Sequence, residues 1–179
     1  MLSGEPRLEL SRWIREQNAS LVVLGTQDFT GGASEGVGAA LQMLLVDASL
    51  LLVPPLRPHQ EDLEYRRLLV PLDGSVRAES VLPIAVRIAR SHRAELILAH
   101  VVPRLEIVGS ALLEPGTREL RDQLEHRNEE QARFYLDGLR RRMSADGLPV
   151  RTIVARSGDA RAQLRRLIEE QSIDLIVLS

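Results

Sequence analysis

The chain has 179 residues, of which 44% are apolar and 27% are charged, and its net charge is −2. This length suits one α/β domain, or one domain with part of another, and the near-neutral charge gives no indication of nucleic acid or an anionic membrane as a partner. All 23 basic residues are Arg, which excludes a phosphate-binding P-loop and Schiff-base lysine chemistry.

Residue types that are absent or scarce exclude several further classes of function. There is no Cys, which excludes disulfides, a thiolate nucleophile and a Cys-based metal site, and the 3% of aromatic residues are too few for a base-stacking platform. No apolar run approaches the roughly 18 residues of a membrane span, and the first residues lack the apolar core of a signal peptide. The sequence therefore predicts a cytoplasmic protein with no nucleic-acid or membrane partner and no metal site.

The first third of the chain predicts two strands separated by a glycine-containing loop. Apolar residues at helical spacing in residues 6–17 predict a helix, and two short apolar runs closed by turn-forming residues predict buried strands. In chain order these elements are the helix 6–17, the strand Leu21–Leu24 ending at Gly25, the loop Thr26–Gly38, the helix Val37–Val46, the strand Leu50–Val53, and a polar linker over residues 56–64.

The stretch LLVPLDGS lies near the middle of the chain and predicts a strand that is followed directly by a helix. The run Leu68–Leu72 is apolar throughout, as expected for a strand covered on both faces of a parallel sheet. Asp73 follows at its carboxyl end, where open α/β sheets bind ligands. Gly74 permits a tight turn, and Ser75 can cap the next helix.

The remaining sequence alternates helices and strands, which predicts a parallel sheet built from right-handed crossovers. Pro83 lies inside the first of these helices and is expected to kink it. The predicted elements are the helix Val76–Ser91, the strand Glu95–Val102, the helix Thr117–Ala145, the strand Val150–Ala155, the helix Arg161–Gln171 and the strand Ile173–Leu178. The long helix has a predicted core stripe of Leu120, Leu124, Tyr135, Leu139 and Met143, with ion pairs Glu129–Arg133 and Asp137–Arg141.

The two ends of the chain resemble each other. Residues 3–25 align without gaps on residues 157–179, a spacing of 154 residues from Ser3 to Ser157. That spacing is about the length of one α/β domain. The chain is therefore interpreted as starting partway through one copy of a domain and ending partway through a second.

This arrangement resembles a tandem universal stress protein. The stretches LLVPLDGS with its following helix, LAHVV, and LVVLG with its loop, helix and LLLVP match the family's strands in order and spacing. The resemblance implies a five-stranded parallel sheet of order 3-2-1-4-5 flanked by helices. It also implies domains of 1–55, as the end of a first repeat, and 65–179, as a second repeat without its last helix and strand.

The resemblance also implies a nucleotide site. Asp73, with Gly74 and Ser75, matches the Asp that contacts the nucleoside, and the strand end His100, Val101 and Val102 matches backbone that borders the adenine. In the phosphate loop, Gly25 and Thr26 match its start and Gly38 and Ala39 its end. The family's second loop glycine is replaced by Asp28, and its final Ser or Thr by Ala39. Both departures weigh against phosphate binding.

Two arrangements of the sheet remain open at this point. Residues 1–55 supply strands that complete the sheet, within one chain or between two, which leaves Ile173–Leu178 surplus. Alternatively, Ile173–Leu178 takes the fourth place and residues 1–55 lie elsewhere. The apolar edge Leu50, Leu51, Leu52 and Val53 matches the strand through which family members pair, which predicts a homodimer.

The sequence thus predicts a module that binds ATP, with or without Mg²⁺, and has no fast catalysis. The alternative is a dimerising adaptor of the same fold with an eroded phosphate loop. Slow ATP hydrolysis ranks last because no general base or metal site accompanies Asp73, and Ser75 lacks the G-x-S-x-G context of a hydrolase nucleophile.

Overall fold

The computed structural model describes residues 12–18, 21–25, 49–53, 64–103, 115–145 and 147–179. The chain divides into two compact units, Met1–Asp62 and Leu63–Ser179. The predicted loop Thr26–Gly38, the predicted helix Val37–Val46 and most of the linker 56–64 lie outside the described residues.

The described part of the first unit contains a helical segment and a pair of parallel strands. Residues 12–16 are helical, and β1 (Leu21–Gly25) pairs in register with β2 (Ser49–Val53). Leu21 and Val23 are 51% and 57% exposed, so the prediction of a buried strand is wrong for these side chains. Among the described residues this sheet has two strands, so each lies at an edge, where burial is incomplete.

The second unit contains a four-stranded sheet in which every pairing is parallel. Its strand order is β5-β4-β3-β6. The strands are β3 (Arg67–Pro71), β4 (Glu95–Pro103), β5 (Val150–Gly158) and β6 (Leu175–Ile176), and the helices are α1 (Val76–Glu79), α2 (Leu82–His92), α3 (Pro115–Ser144) and α4 (Ala160–Glu170). The α/β class and the parallel sheet are confirmed.

Strand β3 is the centre of the core. Leu68, Leu69 and Val70 are all 0% exposed, so both faces of the strand are covered, as its unbroken apolar run predicts. Leu68 and Val70 pack in one cluster with residues of α2 and α3, whereas Leu69 packs in a second cluster with residues of α4. The sheet is therefore a middle layer between α2 and α3 on one face and α4 on the other.

The chain reverses direction across the sheet at β3. The connections from β3 to β4 and from β4 to β5 move one way, and α4 then returns the chain to β6 on the far side of β3. In the order of strands within this unit, the arrangement is 3-2-1-4, which matches the first four places of the predicted order 3-2-1-4-5. A fifth strand is not among the strands described for this unit. The place beside β3 is taken by β6, through the pairs Leu68↔Leu175 and Leu69↔Ile176, so the segment predicted as the strand Ile173–Leu178 fills the fourth place of this sheet.

The helix after β3 differs from its prediction. Instead of one helix kinked at Pro83, there are two, because the first ends at Glu79 and α2 begins at Leu82. Pro83 lies in the first turn of α2. Its missing N–H costs nothing there, since first-turn N–H groups have no partner within the helix.

The core stripe of α3 is also only partly as predicted. Leu139 is buried, but Leu120 and Leu124 are 56% and 42% exposed, and the other buried residues of this helix are Ala132 and Leu136. A helix of 30 residues is about 45 Å long, whereas a nine-residue strand spans about 30 Å. The first half of α3 therefore extends beyond the sheet, so the sheet does not cover Leu120 and Leu124.

The two predicted ion pairs on α3 have different outcomes. Arg133 lies 3.7 Å from the carboxylate of Glu129, as predicted, and Arg156 approaches the same carboxylate at 3.3 Å. The carboxylate of Asp137 pairs instead with Arg140 at 3.2 Å, one position earlier than predicted. Both spacings place the partners on one side of a helix.

No helix within the described residues is both long enough and apolar enough to cross a membrane.

The short strand β6 is anchored to β3 by one carboxylate. Oδ2 of Asp174 accepts hydrogen bonds from the backbone N–H groups of Arg66 at 2.7 Å and Arg67 at 2.8 Å. The Asp174 N–H donates back to the carbonyl of Arg67 at 3.0 Å, and Val177 N–H donates to Leu69 at 2.9 Å. These bonds supplement a ladder that pairs only two residues of β6.

We expect Asp174→Ala to lower the free energy of unfolding by about 1–3 kcal/mol, because two backbone donors lose a charged acceptor. Urea denaturation measures the change. Asp174→Asn keeps one side-chain oxygen as an acceptor and is expected to lose less. Equal stability of the alanine variant and the unchanged protein would contradict this role.

Candidate functional site

Asp73 lies just beyond the end of β3 and faces solvent. The buried Leu72 donates its N–H to the carbonyl of Ala99 at 2.8 Å, which continues the pairing with β4 past the last strand residue. Asp73 itself is exposed. The chain leaves the sheet at Gly74, whose φ of +86° is the left-handed conformation that glycine adopts without strain.

The residues Asp73, Gly74 and Ser75 form a compact turn held by side-chain hydrogen bonds. The Ser75 N–H donates to Oδ1 of Asp73 at 2.9 Å, and Oγ of Ser75 accepts from the N–H of Ala78 at 3.1 Å. Ser75 is therefore the N-cap of α1, as predicted. These bonds fix the carboxylate of Asp73 relative to the first turn of the helix.

The surroundings of Asp73 favour its charged form. Hydrogen bonds from the side chain and the backbone of Ser75 lower the pKa of Asp73 from its ordinary value of 3.8, and the charge of His100 adds to this effect. The carboxylate is therefore ionised at neutral pH. An ionised carboxylate can only accept hydrogen bonds, which suits it to a ligand that presents hydroxyl or N–H donors.

His100 lies on β4, the strand next to Asp73. Its half-buried side chain packs edge to face against Tyr135, with ring centroids 6.5 Å apart and planes at 73°. Nδ1 of His100 is buried and has no hydrogen-bond partner within the described chain. Of the other two predicted residues on this strand, Val101 is half-buried and Val102 is 1% exposed, so Val102 can offer a ligand only backbone.

Two residues that were not predicted as part of the site approach Glu79, in the helix that follows Asp73. Tyr135, on α3, donates its hydroxyl to Oε1 of Glu79 at 2.9 Å, and Arg142 lies 4.0 Å from Oε2 of the same carboxylate. Burial and the hydrogen bond to Glu79 raise the pKa of Tyr135, so its hydroxyl remains a donor. A tyrosine inside a core stripe needs a partner for its hydroxyl, and this was the signal available in the sequence.

The position of these residues is the one at which α/β sheets bind ligands. Asp73 follows the strand where the chain reverses, with β4 on one side and β6 on the other. At such a switch point the connections diverge to opposite faces and leave a crevice beyond the carboxyl ends of the strands. We call this region the Asp73 crevice, with Asp73, Gly74, Ser75, His100 and Tyr135 around it.

The other predicted site residues belong to the first unit. Gly25 ends β1 in the first unit, and Leu50–Val53 are half-buried in β2. Thr26, Asp28, Gly38 and Ala39 lie outside the described residues. Their predicted roles in phosphate binding stay predictions. In the part of the chain that is described, no three His, Asp or Glu side chains are grouped so that they could hold a metal ion.

Comparison with known proteins gives a consistent result. The family model described as the universal stress protein family matches residues 64–179. A universal stress protein of Methanocaldococcus jannaschii is 24% identical over 123 residues, which cover 64% of this chain and 75% of that protein.

Solved structures agree. The universal stress protein UspA from Lactobacillus plantarum has a TM-score of 0.53 and 25% identity, over 65% of this chain and 78% of that one. A universal stress protein from Archaeoglobus fulgidus has a TM-score of 0.55 and 19% identity, over 97% of this chain and 53% of that one.

The hydrogen bonds around Asp73 predict its titration. NMR titration of its side-chain carboxyl should give a pKa below 3.8 in the unchanged protein, and Ser75→Ala should raise the pKa towards 3.8 because the strongest of the lowering contacts is lost. Since the folded-state pKa is the lower one, the stability that this turn contributes is present above pH 3.8 and is lost as the pH falls through the folded-state value.

Ser80→Ala is the matched control, because the Ser80 hydroxyl donates to the carbonyl of Arg77 and not to Asp73. An unchanged pKa of Asp73 in Ser75→Ala would show that Ser75 does not hold the carboxylate.

Proposed function

The chain belongs to the universal stress protein family, and from that premise we propose that the Asp73 crevice binds ATP or a related nucleotide without fast catalysis. The observation that carries the proposal is the position of Asp73, an exposed, ionised carboxylate after the strand at which the sheet reverses. The resemblance of LLVPLDGS to the family's nucleoside-contacting stretch names the ligand class.

In this proposal Asp73 recognises the sugar. Ribose hydroxyls are hydrogen-bond donors, and a carboxylate fixed by Ser75 can accept from them without first losing conformational freedom. The backbone of His100, Val101 and Val102 borders the base. Gly74 and Ser75 complete the wall of the crevice that follows Asp73.

The phosphate contacts are proposed from the resemblance alone. Gly25, Thr26, Gly38 and Ala39 are their candidates, with Asp28 and Ala39 as departures from the family pattern. Repulsion between the Asp28 carboxylate and phosphates weakens binding. If this loop does not hold phosphates, the chain acts instead as a dimerising adaptor of the same fold.

We also propose that residues 1–55 and 65–179 are parts of two repeats of one domain, joined by the linker 56–64. Asn18 and Ser172 occupy equivalent positions in the aligned ends, and both have a φ of 49°. The ion pair Arg12–Glu16 at 2.8 Å is matched by Arg166–Glu170 at 2.6 Å. The ends of these two helices thus have the same backbone conformation and the same ion pair at equivalent positions. The fold similarity to the Archaeoglobus fulgidus protein over 97% of this chain supports the same interpretation.

The proposed partner is a second copy of the chain, bound through β2. This strand pairs with β1 along one edge, and no strand among the described residues pairs with its other edge. Leu50, Leu51, Leu52 and Val53 are half-buried there. An apolar edge with unpaired backbone groups is a surface on which a second strand can add.

Calorimetric titration of ATP with Mg²⁺ tests the nucleotide proposal. We expect the unchanged protein to bind, and Asp73→Ala to weaken binding by about 10- to 100-fold, because a charged acceptor is removed. Glu170→Ala, which removes a carboxylate near the end of α4, is the matched control and should bind normally. No heat at millimolar ATP from folded protein would favour the adaptor instead, and rapid release of phosphate would contradict the absence of fast catalysis.

Sedimentation velocity tests the dimer. Leu51→Arg and Leu52→Arg place a charge on opposite faces of β2, since neighbouring side chains of a strand alternate. We expect at least one variant to become monomeric while its circular dichroism spectrum is unchanged. A dimer that persists in both folded variants would place the interface elsewhere.

A further inference from the structure

We propose that Tyr135 is a positioning residue, which fixes the Asp73–Ser75 turn by contacting both the helix that follows Asp73 and the strand beside it. For its ligand this inference rests on the proposed nucleotide function, but its structural part is independent of any ligand. Tyr135 belongs to α3, and neither the strand pattern nor the turn chemistry of LLVPLDGS involves that helix.

The helix α1 has little to hold it in place by itself. It spans only Val76–Glu79 and contains no buried residue, and Val76 is 88% exposed. Ala78 is the apolar side chain of this helix that packs, partly buried, against the core cluster. A single helical turn is not stable in isolation, and a break at Ser80 and Val81 separates it from α2. A further contact is therefore needed to hold α1, and with it the Asp73–Ser75 turn that precedes this helix, in place.

That anchor is the hydrogen bond from Tyr135 to Glu79. The hydroxyl of Tyr135 donates to Oε1 of Glu79 over 2.9 Å, in a partly buried setting where water competes less well. Arg142 approaches Oε2 at 4.0 Å from an exposed position and adds a weaker attraction. Tyr135 is itself rigidly placed, because its neighbours Leu136 and Leu139 on α3 are 0% and 1% exposed.

The ring of Tyr135 also contacts the strand on the other side of Asp73. Its edge-to-face contact with His100 holds the imidazole, whose buried Nδ1 has no hydrogen-bond partner within the described chain to fix its orientation. The side chain of Tyr135 thus links two residues. Glu79 is in α1, the helix that follows Asp73, and His100 is on β4, the strand beside Asp73. Both walls of the Asp73 crevice are tied to the same residue of α3.

The consequence for binding is preorganisation. A carboxylate that is already held where the ligand needs it does not lose conformational freedom on binding, whereas a mobile turn must be ordered at the expense of affinity. Tyr135 need not touch the nucleotide to affect its affinity. Its effect should therefore depend on the hydroxyl and on an acceptor at position 79, and not on the charge of Glu79.

Three single variants and one double variant separate these contributions. Tyr135→Phe keeps the ring contact with His100 but loses the hydroxyl, and Glu79→Leu loses the acceptor. Each should weaken ATP binding by about 3- to 10-fold, the effect of one hydrogen bond. Glu79→Gln keeps a side-chain oxygen and should stay within about twofold of the unchanged protein. The double variant Tyr135→Phe with Glu79→Leu should bind no more weakly than the poorer single variant, because both remove one interaction.

A measurement without ligand keeps the inference testable whatever the outcome of the nucleotide experiment. Hydrogen exchange should be faster in Tyr135→Phe at the amides of Glu79 and Ser80, which donate to the carbonyls of Ser75, the N-cap of α1, and Val76, its first residue. If the unchanged protein binds no ATP but exchange responds in this way, the proposed function fails and the positioning role stands.

Glu95→Gln is the matched control for general loss of stability. It weakens a partly buried pair with Arg151, at 3.0 Å, near the opposite end of β4. It should lower the melting temperature without changing either ATP affinity or exchange in α1. Unchanged exchange in Tyr135→Phe, or ATP binding that is lost equally in Glu95→Gln and Tyr135→Phe, would overturn the positioning role.

Discussion

The complete burial of the three middle residues of β3 is the constraint on which the second unit depends. Leu68, Leu69 and Val70 expose no surface, and their side chains point alternately to the two faces of the sheet. Both faces must then be covered by helices. The crossovers to β4 and β5 supply α2 and α3 for one face, and the return to β6 supplies α4 for the other. Because right-handed crossovers that move in opposite directions place their helices on opposite faces, the reversal at β3 supplies this double cover.

The same reversal creates the crevice. Connections that leave the strand ends towards opposite faces cannot pack against each other there, so the chain just beyond Leu72 remains exposed although Leu68–Val70 and Leu72 are buried. Asp73 occupies this position, and Gly74 and Ser75 turn the chain into a helix without hiding the carboxylate. The contacts that buried β3 makes with its neighbours thus place a charged group at the edge of the most apolar part of the unit.

The aligned ends of the chain show how far local sequence controls structure. Residues 12–18 and 166–172 share a left-handed residue after the helix and an i,i+4 ion pair. Their burial differs, since Trp13 is 48% exposed and its counterpart Leu167 only 7%. Backbone hydrogen bonds within seven residues are set by neighbours in the chain, whereas burial depends on which sheet covers the helix.

The sequence by itself determined the parallel α/β class, the strands β3 and β4, and the cap and turn after Asp73, because apolar runs and turn residues act over a few positions. It could not determine that β6 fills the place beside β3, that Leu120 and Leu124 are left uncovered, or that α1 ends before Pro83. The first two depend on which distant segments cover a given surface. Nor could it place Tyr135 beside the crevice, because 56 residues separate it from Glu79 and only the packing of α3 on the sheet brings the hydroxyl and the carboxylate together.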